Sequence, residues 1–268
     1  MPRWYRLDNA AKIYPVVTNS RRSHVFRIAA NMKHDIDPAA LQQAVIDCKH
    51  RFPTIYVKLR TGFFWYYYEP NEKKPIVRPE SPYLNQSIDR YLNNGYFFTF
   101  FYFKKRLSLE CYHGICDGAG AIEFFKTVIL HYLELIGYKI DSENIVLSLS
   151  VRPTKDEAED SYLKYFPEGK RKRQKVAKAY KPLGKRFRQG GTGLINVKLK
   201  TSDLLALSKT YNASLSQFLA ALMTYSIFLS GDKKQLAEYP VKITIPVNMR
   251  SIYPSKTLRN FSLFLEPR

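Results

Sequence analysis

Residues 24–32, HVFRIAANM, alternate apolar and polar positions closely enough to predict a strand. The period then changes. In DIDPAALQQAVIDCKHRF (35–52), Leu41, Ala44, Val45 and Cys48 recur at helical spacing, with Asp37 placed to cap the helix and Pro38 at its first position. Two strands around a turn at Arg60–Gly62 follow in TIYVKLRTGFFWYYYE. A second hairpin is predicted from YFFTFFYF, the basic turn KKR, and LSLECYH. GAIEFFKTVILHYLELIG is an amphipathic helix ending at Gly137.

From Asp141 to Gly193 the chain turns polar and predicts a long exposed connection. Regular patterning resumes with GLINVKLKT as a strand and two helices, SDLLALSKTYN and SLSQFLAALMTYSIFLSG. The strands VKITIPVN and FSLFLEPR complete the series. These elements predict a mixed α/β chain with three parts. Residues 1–140 form a first part, 141–192 a basic crossover, and 193–268 a second part, which the resemblance given below reads as two subdomains, the second only begun.

Composition narrows the class. The chain has 268 residues, 45% hydrophobic and 15% aromatic, enough for a packed core rather than a disordered segment. Lys and Arg number 43 against 23 Asp and Glu, a net charge of +20 that favours anionic partners. The run KRKRQKVAKAYKPLGKRFR (170–188) holds no acid. It reads as a solvated crossover, or as an attractor of cofactor phosphates or an acidic carrier protein. Nucleic acid is not expected, because no reading module accompanies the charge. Peripheral contact with a membrane surface stays open, although this run has a poor apolar face.

MPRWYRLDN is too polar for a secretory signal, and the most apolar helix is interrupted by Ser, Gln and Thr. Three cysteines, Cys48, Cys111 and Cys116, suggest reduced thiols in a cytoplasm-like compartment.

The candidate chemistry lies in LECYHGICDGAG (109–120), where a strand passes into a helix. His113 at a strand end is suited to accept and return a proton near pH 7. Three other readings stand beside it. His113 and Asp117 serve only the turn; Cys111, His113 and Cys116 offer metal-ligand types but lack a fourth ligand; or Cys116 is a nucleophile with His113 as its base.

The segment HGICDG resembles the His-x-x-x-Asp-Gly motif of the CoA-dependent acyltransferase superfamily, which includes chloramphenicol acetyltransferase, condensation domains of nonribosomal peptide synthesis and alcohol acetyltransferases. Tyr112 stands where many members carry a second histidine. IDPAALQQAVIDCKHRFPTIYVKL, SLSQFLAALMTYSIF, ITIPVNMRSIYPS and LRNF resemble further family elements in the same order. The likeness spans nearly the whole chain and is greatest to bacterial alcohol acetyltransferases.

The resemblance implies two chloramphenicol-acetyltransferase-like subdomains, each a mixed sheet with flanking helices, with His113 in a tunnel between them. His113 would be the general base for transfer of an acyl group, acetyl for example, from CoA or a carrier-protein thioester to an alcohol or amine, without a metal. Asp117 would form a bidentate pair with Arg250, and Gly118 would permit the turn. Tyr112, Cys116, Asn248 and Asn260 would line the tunnel. The family's later Asp-Phe-Gly-Trp-Gly-like loop has no counterpart here, which implies an incomplete second subdomain. The alternative expectation is a non-catalytic half-enzyme or a carrier-binding module.

Overall fold

The computed structural model describes residues 3–19, 22–142, 145–166, 177–184 and 193–265. The chain divides into two compact units. The first comprises Met1–Glu168, Gly190–Thr192 and Asn248–Ser262; the second comprises Gly169–Gln189, Gly193–Val247 and Leu263–Arg268.

The first unit holds two sheets. β1 (Tyr5–Arg6), β3 (Val57–Thr61) and β4 (Tyr66–Pro70) form an antiparallel sheet in the order β1-β4-β3. The larger sheet runs β2 (Val25–Asn31), β7 (Arg106–Tyr112), β6 (Phe98–Phe103), β5 (Val77–Pro79). Its first two pairings are antiparallel and the last is parallel, so the sheet is mixed. The short helix α1 (Tyr14–Val17) precedes β2.

Helix α2 (Pro38–Asp47) forms where its apolar stripe predicts. Asp37 Oδ1 accepts from the Ala39 and Ala40 amides, and Leu41, Ala44 and Val45 are buried. Helix α3 (Gly118–Leu135) packs beside it, and the Tyr132 hydroxyl accepts from the Asp37 amide at 3.0 Å. Phe52, Tyr56, Phe98 and Phe100 surround Phe124 of α3 with ring centroids 5.0–5.6 Å away, an edge-rich aromatic core.

Several expectations need correction. The first hairpin turns at Gly62–Trp65, because Arg60 and Thr61 remain in the ladder opposite Tyr67 and Tyr66. The crossover does not begin at 141. Residues 145–166 pack into the first unit through a 3-10 turn (Asp156–Ala158) and helix α4 (Ser161–Tyr165). Buried Arg51 forks onto Glu157 at 2.6 and 2.8 Å, and Tyr162 packs against Phe261. A polar composition concealed this, since charge pairing and a few rings do the anchoring. Most of the basic run 170–188 lies outside the described residues.

In the second unit, the strand expected over 193–201 is not formed. Residues 193–200 pair with no strand among the described residues, and Leu194, Ile195, Val197 and Leu199 are exposed. An apolar alternation becomes a strand only when a neighbour completes its hydrogen bonds. Helix α5 (Thr201–Thr210) and helix α6 (Leu215–Ser230) follow, the latter opened by a reciprocal Ser214–Gln217 cap. Helix α7 (Lys233–Glu238), capped by Asp232, was not expected. β8 (Ile245–Asn248) starts four residues later than its pattern suggested, and pairs with β9 (Ser262–Leu265). No single helix among the described residues is long and apolar enough to cross a membrane.

Candidate active site

His113 leaves β7 while still bound to the sheet. Its amide donates to the His24 carbonyl at 2.9 Å, extending the ladder past the Val25–Tyr112 pair. The chain then turns tightly, the Ile115 amide donating to the Tyr112 carbonyl at 3.1 Å. The Tyr68 hydroxyl donates to the Gly114 carbonyl at 2.6 Å. A Cβ on Gly114 would lie 2.3 Å from the Tyr112 ring, so this turn is built around the absence of a side chain.

The imidazole sits between two rings. Tyr14 stacks on it at 5.7 Å with 14° between planes, and Phe26 lies 4.4 Å away. Nδ1 is buried and has no hydrogen-bond partner among the described residues. Burial lowers the pKa of His113, with the Asp117 carboxylate opposing that effect and His24 adding to it. The ring is therefore neutral at pH 7 and able to take a proton.

Behind it, Thr18 Oγ1 joins the His24 Nδ1 at 3.0 Å and the Tyr112 hydroxyl at 3.1 Å. Tyr14, Thr18, His24 and Phe26 were not expected at this site. Only His24 carried a usable signal, as a second histidine placed just before a strand. Its backbone is left-handed, φ 51°, where a non-glycine residue is uncommon.

Asp117 faces the other way. Its Oδ1 caps α3 by accepting from the Gly120 amide at 3.1 Å. Its Oδ2 accepts from Arg250 Nη1 at 2.8 Å, from the Phe261 amide at 2.8 Å and from Ser262 Oγ at 3.0 Å. The expected bidentate pair is instead a single contact. Arg250 spends its other donors on the Thr257 and Arg259 carbonyls and on Asn248 Oδ1. Asp117 is thus joined at once to α3 and to residues 250, 261 and 262.

Gly118 is also corrected. It has no left-handed φ, and a Cβ there would meet nothing within 4 Å. The demanding glycine is Gly120, whose Cβ would fall 2.0 Å from the Leu258 carbonyl oxygen.

The four expected lining residues separate. Tyr112 lines a cleft of about 310 Å³ with Thr18, Ser23, Thr61, Ser87 and Arg90. Asn248 is exposed; it caps the 3-10 turn Met249–Ser251 and receives Arg250. Asn260 is buried and donates to Asp8 Oδ2 at 3.2 Å, so it packs and does not line. Cys116 is fully buried with its sulfur 3.4 Å from that of Cys111. The Cys116 thiol is pushed well above its ordinary pKa by that hydrogen bond and by burial, the opposite of what activates a cysteine nucleophile. Among the described residues no group of three or more His, Cys, Asp or Glu side chains is arranged to hold a metal ion.

No protein-family model and no curated protein sequence matches the chain. Solved structures do. Polyketide synthase associated protein 5 from Mycobacterium tuberculosis superposes with a TM-score of 0.57 at 15% identity, over 99% of this chain and 67% of that one. The SgcC5 protein from Streptomyces globisporus gives 0.57 at 12% identity, over 97% and 67%. A mutant starter condensation domain of rhizomide synthetase RzmA, in complex with C8-CoA and Leu-SNAC, gives 0.56 at 14%, over 98% and 65%. This chain spans about two thirds of the length of each. The mixed sheet with flanking helices is thus the fold that this chain has in common with a condensation domain and with a polyketide-synthase-associated protein.

Proposed function

We propose that this chain carries an acyl-transfer site in which His113 takes the proton from an alcohol or amine as that group attacks the carbonyl of an acyl thioester. The new bond is C–O or C–N; the bond that breaks is C–S, and the departing thiolate takes the acceptor's proton from the imidazolium. CoA or a carrier protein supplies the thioester. The carrying observation is the His113 ring, held neutral by burial between Tyr14 and Phe26 at the end of β7. Asp117 faces Arg250, which agrees with a positioning role for the carboxylate.

The neighbour solved with C8-CoA supports an acyl thioester as co-substrate. An alcohol acceptor with an acetyl donor, and a cytoplasm-like setting with reduced thiols, are parts of the same proposal.

The test is thiol release from acetyl-CoA and octanoyl-CoA with panels of alcohols and amines, comparing the parent with His113→Ala. A loss of about 100- to 10,000-fold is expected. Equal rates would remove His113 from the chemistry. Tight binding of an acyl carrier protein without turnover would favour the docking module instead.

A further inference from the structure

The hairpin joining β3 to β4 ends in three consecutive aromatic residues that the core does not cover. Phe63 is 92% exposed, Phe64 91% and Trp65 59%. The turn itself is well made: the Gly62 amide donates to the Trp65 carbonyl at 2.7 Å. Aromatic side chains displayed on a closed turn forgo the burial that usually holds such residues inside, and such exposure marks an interaction site.

The adjoining sheet carries matching chemistry. Arg6 of β1 and Arg60 of β3 both stand opposite Tyr67 of β4, so the three share one face. Trp4 lies edge-on to Tyr67 at 6.1 Å, with the Arg6 guanidinium 6.0 Å from the Trp4 ring. Glu69 pairs with Lys58 and Arg60. Over residues 3–6 and 57–70 the cations are Arg3, Arg6, Lys58 and Arg60, and Glu69 is the one carboxylate.

A convex tip of adjacent rings would need a concave apolar pocket on a protein partner. A bilayer needs none. At a lipid surface Phe side chains enter the acyl boundary, Trp and Tyr rest at headgroup level, and cations meet anionic headgroups. We propose that the β3–β4 tip inserts into the headgroup boundary of an anionic bilayer, with Arg6 and Arg60 against the headgroup phosphates. The excess positive charge of the chain, +20, draws it to the same surface. This inference does not rest on the acyl-transfer reading.

The experiment is flotation with vesicles of phosphatidylcholine, with and without phosphatidylglycerol. The chain has two tryptophans, so Trp4→Phe leaves Trp65 as the reporter. The parent is expected to float with the phosphatidylglycerol vesicles. Phe63→Ser/Phe64→Ser, which keeps every charge, should lose at least about tenfold in partition coefficient. Trp65 emission should move to the blue on binding. Both phenylalanines are exposed, so the double variant should melt like the parent. An unchanged partition of that variant, or no shift of Trp65, would assign vesicle binding to basic residues elsewhere and overturn the proposal. A parent that ignores both vesicles would overturn it too, leaving the tip to a protein partner.

Discussion

Arg250 donates to Asp117 across 133 residues of chain, Nη1 to Oδ2 at 2.8 Å. The Asp117 side chain is 5% exposed and the Arg250 side chain 14%. One oxygen therefore ties Arg250, the Phe261 amide and the Ser262 hydroxyl together, while its twin caps α3. The loop that carries His113 is held from its far end.

That arrangement predicts a large effect from removing the cation. Arg250→Ala strands a buried carboxylate and should cost about 3 kcal/mol, read as a fall in the urea midpoint. Arg250→Lys should recover only part, because a lysine cannot also reach the Thr257 and Arg259 carbonyls. A change below about 0.5 kcal/mol for the alanine variant would mean the pair behaves like an exposed one.

Burial sets a pH limit on His113. Its pKa lies below the ordinary value of about 6.5, so kcat/KM should be flat through neutral pH and fall on the acid side with its inflection below that value. The stability effect has the same direction. The unfolded chain binds this proton more readily than the folded one, so folding is unaffected above the unfolded pKa and weakens as pH drops from there toward the folded pKa. Following the ring protons of His113 by NMR reads the titration directly. An inflection at or above the ordinary value would contradict the buried, unpartnered ring.

The two glycines after Asp117 should behave oppositely. Gly120→Ala drives a Cβ into the Leu258 carbonyl, backbone that cannot rotate away, and should cost about 3 kcal/mol. Gly118→Ala enters open space at the first position of α3 and should be neutral or stabilising by about 0.5–1 kcal/mol. Thermal melts of the two single variants decide it. Equal losses would show that the turn itself requires Gly118.

Glu157 should report on the segment 145–166. Its fork onto Arg51, whose side chain is 2% exposed, is the main charged anchor of that stretch. Glu157→Ala should cost about 3–5 kcal/mol and open residues 145–166 to limited proteolysis. A variant as resistant as the parent would mean that the rings of Tyr162 and Phe261 hold the segment without the ion pair.

Local chemistry was legible where it acts over a few residues. Asp37 caps α2 because a carboxylate before Pro38 has free amides in reach, and the Phe98–Tyr112 hairpin follows from an aromatic run and an alternating run on either side of Lys104–Lys105. The histidine at a strand end was visible in the same way. Residues 193–200 show the limit: their alternation is real, but no neighbour pairs with them among the described residues. The segment 145–166 shows the converse, a polar stretch anchored by the Arg51–Glu157 fork and the Tyr162–Phe261 rings, which composition cannot reveal.

By itself, then, the order of residues determined the periods, the caps and the strand-to-helix junction that presents His113, because each depends on spacing along one stretch of backbone. Which rings enclose that imidazole was decided only by the fold. Phe26 reaches it through the antiparallel register of β2 on β7, which sets Phe26 opposite Cys111 and Val25 opposite Tyr112, and Tyr14 reaches it from α1. The need for glycine at 120 rather than 118 likewise arises from the close approach of the Leu258 backbone to α3. Contacts between residues distant in the chain depend on how whole elements pack, and short-range pattern carries no record of that packing.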